Sequence, residues 1–252
     1  MGILSSLFGY GEKNKKSNKN TDGINIPMTK PVENISATDD QKERRAASEK
    51  ICISEGIPIY KNPNSLFVAP EKEVTLRTKN KVVDRTFALL YLGLKSEGLE
   101  QVHLDRINAE FDIAAKLSTL EKEYVLAASP TQQQKTNANW GYESLQVLLW
   151  SLGYIDELVY PNKMCTVADD VKIIYELGPD KFRAQANLRT KKEILDQADS
   201  ILRFNWACVN ARVKNENAPG ALNPSVVYQR HYALNWLIKA MNQDWDNVST
   251  DT

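Results

Sequence analysis

The chain has 252 residues, 42% of them hydrophobic and 25% charged, which suits one or two globular domains and excludes fibrous, disulfide-rich secreted and membrane-spanning classes. Lysine plus arginine and aspartate plus glutamate balance at 32 each, so no strong long-range field collects nucleic acid and none is expected as a partner. Cys52, Cys165 and Cys208 are odd in number and far apart, which gives neither a disulfide framework nor a zinc spacing and points to a reducing, cytoplasmic setting.

Residues 1–40 read as a flexible tail, because from Gly9 to Asp40 there is too little apolar surface to offset the entropy of ordering the chain. At its start Ile3, Leu4, Leu7 and Phe8 fall on one side of a short helix, and Lys13, Lys15, Lys16 and Lys19 follow. That arrangement in residues 1–20 suits a weak peripheral contact with the inner face of a membrane, but a frayed terminus with incidental apolar residues is the plainer reading. No basic region or long apolar core marks a secretory signal there.

Residues 41–252 read as one multi-helix domain, all-α or nearly so. Gln41 to Glu55 forms a charged helix, and residues 57–76, broken by Pro58, Pro63 and Pro70, form an irregular, extended segment with room for a minor strand pair. A helix begins at Thr78, carries the stripe Val83, Phe87, Leu90 and Leu94, and ends at Gly98. Another spans Val102 to Leu117. Ser118 with Glu121, Thr131 with Gln134 and Thr190 with Glu193 have capping-box spacing, in which each side chain satisfies an orphan amide of the first turn.

Leu145 to Leu152 is apolar on nearly every side and belongs, with Ala233 to Leu237, in the centre of the domain. A short helix near Val167–Leu177 is closed by Gly178 and Pro179, a long one opens at Thr190 and runs to about Val213, and Asn223 with Pro224 starts the last, Ser225–Met241.

The wording of the last two helices is specific. Glu193, Asp196 and Asp199 are followed by Arg203 and Trp206, then by Tyr228, Arg230, His231, Asn235 and Trp236, and the chain closes on Thr250, Asp251 and Thr252. Together with Arg45 to Cys52, Leu76 to Thr78, Leu148 to Gly153, and Leu188 with Arg189, these residues resemble the bacterial family of unknown function numbered 4272, over about residues 43–252. Where many relatives have Glu inside the Tyr-x-Arg-His stretch, this chain has Gln229. The resemblance implies a fold and carries no mechanism.

No phosphate loop, nucleophile elbow, metal spacing or cofactor motif is present, and the only histidines are His103 and His231. At about 100° per residue Asp199, Arg203, Trp206 and Asn210 share one side of their helix, while Tyr228, His231 and Asn235 share a side of the next. Two readings follow. The stripes line a pocket, with His231 as acid or base, Asp199 orienting it and Arg203 or Arg230 holding an anion; or Asp199 and Arg203 form an ordinary i, i+4 pair, with His231, Tyr228 and Asn235 in a buried polar seam. A non-enzymatic binding or interaction module, with a protein as partner, is the function expected first. A small-molecule or phosphoester-processing enzyme built around His231, Asp199 and Arg203 is the alternative.

Overall fold

In a computed structural model the structure is described for residues 36–252, so the expected tail and its apolar start lie outside the described residues up to residue 35. Eight α-helices fill the described part: α1 (Asp39–Ser54), α2 (Lys79–Ser96), α3 (Gln101–Phe111), α4 (Thr119–Leu126), α5 (Gln132–Ser151), α6 (Val167–Gln185), α7 (Lys191–Val213) and α8 (Pro224–Leu237). Among the described residues there is no strand, and no helix is long and apolar enough to cross a membrane.

Local chemistry explains the helix starts. Ser118, Thr131 and Thr190 close the three capping boxes expected from their spacing, and the Asn223 Oδ1 accepts from the amides of Ser225 and Val226 at the start of α8. Helix α1 begins at Asp39, two residues ahead of the expected Gln41, because Thr38 and Gln41 form a fourth box.

The helices pack in the order α1, α7, α8, α5, α2, each against the next, with α3 and α6 against the α2–α5 pair. Leu145, Val147, Leu148 and Leu149 of α5 and Ala233, Leu234 and Leu237 of α8 are buried at the centre, as their all-round apolar character requires. Helices α2 and α5 make the largest contact. Gly93 permits it, since a Cβ there would overlap the Tyr142 ring. Gly93→Ala is therefore expected to overpack this seam and cost about 1–3 kcal/mol, read as a lower urea midpoint. An unchanged midpoint would show that α2 and α5 separate freely.

Besides the start of α1, the structure modifies four expectations. Helix α3 stops at Phe111 because Asp112 turns left-handed (φ 50°), and a single 3-10 turn, Ile113–Ala115, follows. Helix α6 is interrupted at Gly178, where the Gly178 and Pro179 stop is expected, but a second helical segment follows it. That glycine breaks it at φ 65°, after which Pro179 restarts a helical segment to Gln185; buried Phe182 holds the restart against Phe87 and Tyr154, and the Arg183–Asp84 ion pair at 2.7 Å ties it to α2. Helix α8 ends at Leu237, short of Met241, because Arg77 takes the last carbonyls. Its amide donates to the Leu237 oxygen at 2.9 Å and its Nε to the Trp236 oxygen at 3.1 Å.

The fourth concerns residues 57–76, where side chains rather than a strand partner satisfy the backbone. Arg45 donates to the carbonyls of Tyr60, Asn62 and Ser65, the Gln41 Nε2 to Val68 at 2.7 Å, and the Arg203 Nη2 to Leu66 at 2.6 Å. Arg189 does the same for Trp150, Ile155 and Asp156, and Arg230 for Val159. Guanidinium groups, each with five donors in a planar fork, are the fastenings that hold the irregular segments onto the helices.

Candidate functional site

Beside the C-terminal half of α8 lies a cleft of about 590 Å³. One wall is Phe67, Val68, Ala69, Glu73, Val74 and Thr75; the other is Ile238 to Asn242, with Ser249 and Asp251 closing the end. His231, Asn235 and Leu202 of α7 line the interior. Its size falls in the usual range for small-ligand sites, and it combines apolar surface with a few polar groups.

Both walls bend through left-handed non-glycine residues. Leu66 (φ 65°) precedes one, and Lys239 (φ 52°), Met241 (φ 51°) and Asn242 (φ 53°) form the other. Such residues cost free energy unless their surroundings impose them, and they concentrate at functional sites. Here Arg203 imposes the first turn through the Leu66 carbonyl, and Arg77 the second through the end of α8.

His231 is 1% exposed. Its Nε2 lies 3.1 Å from the Asn235 Nδ2, and the same amide nitrogen donates to the Ser249 carbonyl at 2.8 Å. Because a carbonyl can only accept, the Asn235 group facing both partners is its NH2, and Nε2 of His231 is the acceptor. The neutral ring then carries its proton on Nδ1, which has no hydrogen-bond partner within the described protein. Burial pushes the His231 pKa down from 6.5 to about 4, so the ring is neutral at pH 7. The sign for stability follows from linkage: between pH 6.5 and about 4 the unfolded chain binds the proton and the folded chain does not, so this histidine lowers stability as pH falls through that window. An imidazole NMR titration is expected to show no protonation of His231 above pH 5.5, where a ring with an ordinary pKa would already be largely charged.

The remaining candidate residues are dispersed. Asp199 and Arg203 form a pair on α7 in which both side chains are 1% exposed and both carboxylate oxygens accept from the guanidinium, at 2.9 and 3.2 Å. Neither is among the hydrogen-bond partners of His231 in the described residues. Trp206 packs on the Tyr60 ring at 5.2 Å, and Asn210 is half-buried further along α7.

Arg230 enters a separate buried group on the other side of α8, with its Nε 3.6 Å from the Glu143 carboxylate and its Nη2 on Gln146. Asp170 and Cys165 belong to the same group. Tyr228 is parted from His231 altogether. It stands 45% exposed in a second cleft of about 530 Å³ between α4, α5 and α8.

Sequence reasoning therefore finds His231 and Asn235 in the cleft and misses both walls. A signal for one wall existed in Leu66 to Val68 between prolines, but nothing local marks Lys239 to Asn242 as other than helix. Among the described residues no three His, Cys, Asp or Glu side chains converge on a metal position.

Fold and site together define an all-α protein in which buried arginine networks brace a cleft around a neutral histidine. The chain belongs to the family described as Domain of unknown function (DUF4272), whose model matches residues 44–248. No curated protein and no solved structure matches it. Arg45, Arg77, Arg189, Arg203 and Arg230 all lie within the matched residues, and each fastens a backbone carbonyl.

Proposed function

We propose that this protein is a non-enzymatic binding module whose ligand site is the cleft at His231. The observation that carries the reading is the unpartnered Nδ1–H of a buried neutral imidazole lining that cleft. A buried donor left unsatisfied costs about 1–3 kcal/mol, which a ligand supplying an acceptor oxygen recovers on binding. Phe67, Val68, Leu202 and Ile238 provide apolar surface for the body of the same ligand.

Binding is favoured over proton transfer because the lone pair a general base needs, on Nε2, is occupied by Asn235. Asp199 is turned to Arg203 through both oxygens and is not a hydrogen-bond partner of His231 among the described residues, so it does not orient the ring.

Benzoate and benzamide, each an apolar ring with an acceptor oxygen, serve as probes in ligand-observed NMR. Both are expected to bind in the millimolar range and to shift the His231 imidazole resonances. His231→Leu removes the donor and is expected to abolish binding, whereas His231→Asn, which can offer an amide N–H near the position of Nδ1, retains part of it. Probe binding that persists in His231→Leu would overturn the reading. Hydrolysis of p-nitrophenyl phosphate that depends on His231 would replace it with the enzymatic alternative.

A further inference from the structure

The second cleft has a chemistry of its own. Its walls are Tyr124 from α4, Tyr228 and Tyr232 from α8, and Trp245 from the 3-10 turn Trp245–Asn247. Tyr228 and Tyr232 stand 6.3 Å apart, centroid to centroid, and Trp245 meets Tyr232 edge-on at 5.1 Å. The acidic side chains on the lining are Glu121, Glu123 and Asp246, and no lysine or arginine lines it. Lys122 and Lys135, on the helices that form it, stay off the lining.

We infer that this aromatic, acidic cleft binds a small organic cation carrying an alkylated ammonium head.

Three observations support that class over others. The carboxylates set the sign. Glu121 is neutralised by Arg85, at 2.7 Å, and the Asp246 Oδ2 accepts the Leu120 amide at 3.2 Å without losing its charge. Glu123 makes no ion pair among the described residues, so the field in the cleft is negative and repels an anion.

The aromatic rings set the form of the contact, since a cation over a ring face is drawn to the negative face of its quadrupole. The protein already makes this contact at one wall ring, Trp245, and at its neighbour Trp236. Arg85 lies 4.9 Å from the centroid of Trp245 and Arg77 lies 5.1 Å from that of Trp236, which itself packs edge-on against Trp245.

The third observation is exposure. Tyr228 is 45% exposed although it sits on α8, a helix otherwise largely buried. A large aromatic held at the mouth of a cleft offers a ring face to a ligand without the cost of moving a packed side chain. A methylated ammonium, with little hydration to lose, gains most from such a surface.

Choline and its neutral isostere 3,3-dimethylbutan-1-ol, titrated into the whole chain with Trp245 fluorescence as readout, separate charge recognition from simple burial. Choline is expected to bind about tenfold more tightly than the isostere, and Tyr228→Ala and Glu123→Gln are each expected to weaken choline by about five- to tenfold. Both substitutions are at exposed positions, and an unchanged melting temperature confirms that loss of binding is local. His231→Leu is expected to leave choline affinity unchanged, which keeps this site distinct from the cleft at His231. Equal affinity for choline and the isostere, preference for a neutral monosaccharide, no choline binding at tens of millimolar, or indifference to both substitutions would each overturn the inference.

Discussion

Arg203→Met is expected to destabilise the protein by about 3–5 kcal/mol, the cost of removing one partner from a buried ion pair. Asp199 and Arg203 are each 1% exposed, and the guanidinium meets both carboxylate oxygens. With the guanidinium gone, the carboxylate is left charged, buried and uncompensated. The Leu66 carbonyl also loses its donor, and with it the fastening that holds the left-handed turn before Phe67 and Val68. The wall of the His231 cleft should loosen together with the global loss.

The double variant Asp199→Leu/Arg203→Met removes both charges at similar volume and is expected to recover part of the stability, because a well-packed apolar pair has no desolvation cost to offset. Urea denaturation measures all three chains. As a control, Arg212→Met on the exposed end of α7 should lie within about 0.5 kcal/mol of the parent. A loss below about 1 kcal/mol for Arg203→Met would mean that water reaches the pair and that it braces nothing.

Asp170→Asn is expected to do the opposite, raising stability by about 2–4 kcal/mol at pH 8 while changing little at pH 4. Asp170 is 2% exposed at the start of α6. Burial, with help from the nearby Glu143 and Asp169 charges and against the Cys165 thiol and Arg230, pushes its pKa up to about 7 from 3.8. Between those two values the folded chain holds a proton that the unfolded chain has released, so this group lowers stability as pH rises through the window. Asparagine is neutral throughout and removes that dependence.

His231 acts with the opposite slope over an overlapping range, so the parent curve alone mixes the two. The difference between Asp170→Asn and the parent isolates Asp170. A difference that stays constant from pH 4 to pH 8 would refute the assignment of a raised pKa to this carboxyl.

The sequence by itself determined the helices and the core. Capping spacings at Ser118, Thr131, Thr190 and Asn223 placed four helix starts, and all-round apolar stretches placed Leu145 to Leu152 and Ala233 to Leu237 at the centre. These features are legible because they depend on residues within one or two turns of each other, where hydrogen-bond partners and helical periodicity are fixed by the chain itself. The Asp199–Arg203 pair is legible for the same reason.

What lies between elements was decided by the tertiary structure. A helical wheel puts Tyr228 and His231 on one side of α8, but α8 is wedged between α7 and α5, and the two residues open onto different clefts. Arg230, next to His231 in sequence, turns to Glu143, 87 positions earlier in the chain. Helix α8 stops at Leu237 because Arg77, about 160 residues away, takes its final carbonyls, and that early stop creates the wall from Ile238 to Asn242. Local propensity carries no information about such partners. They are selected when distant segments meet, because a buried polar group must find a complement and the only ones within reach belong to another part of the chain.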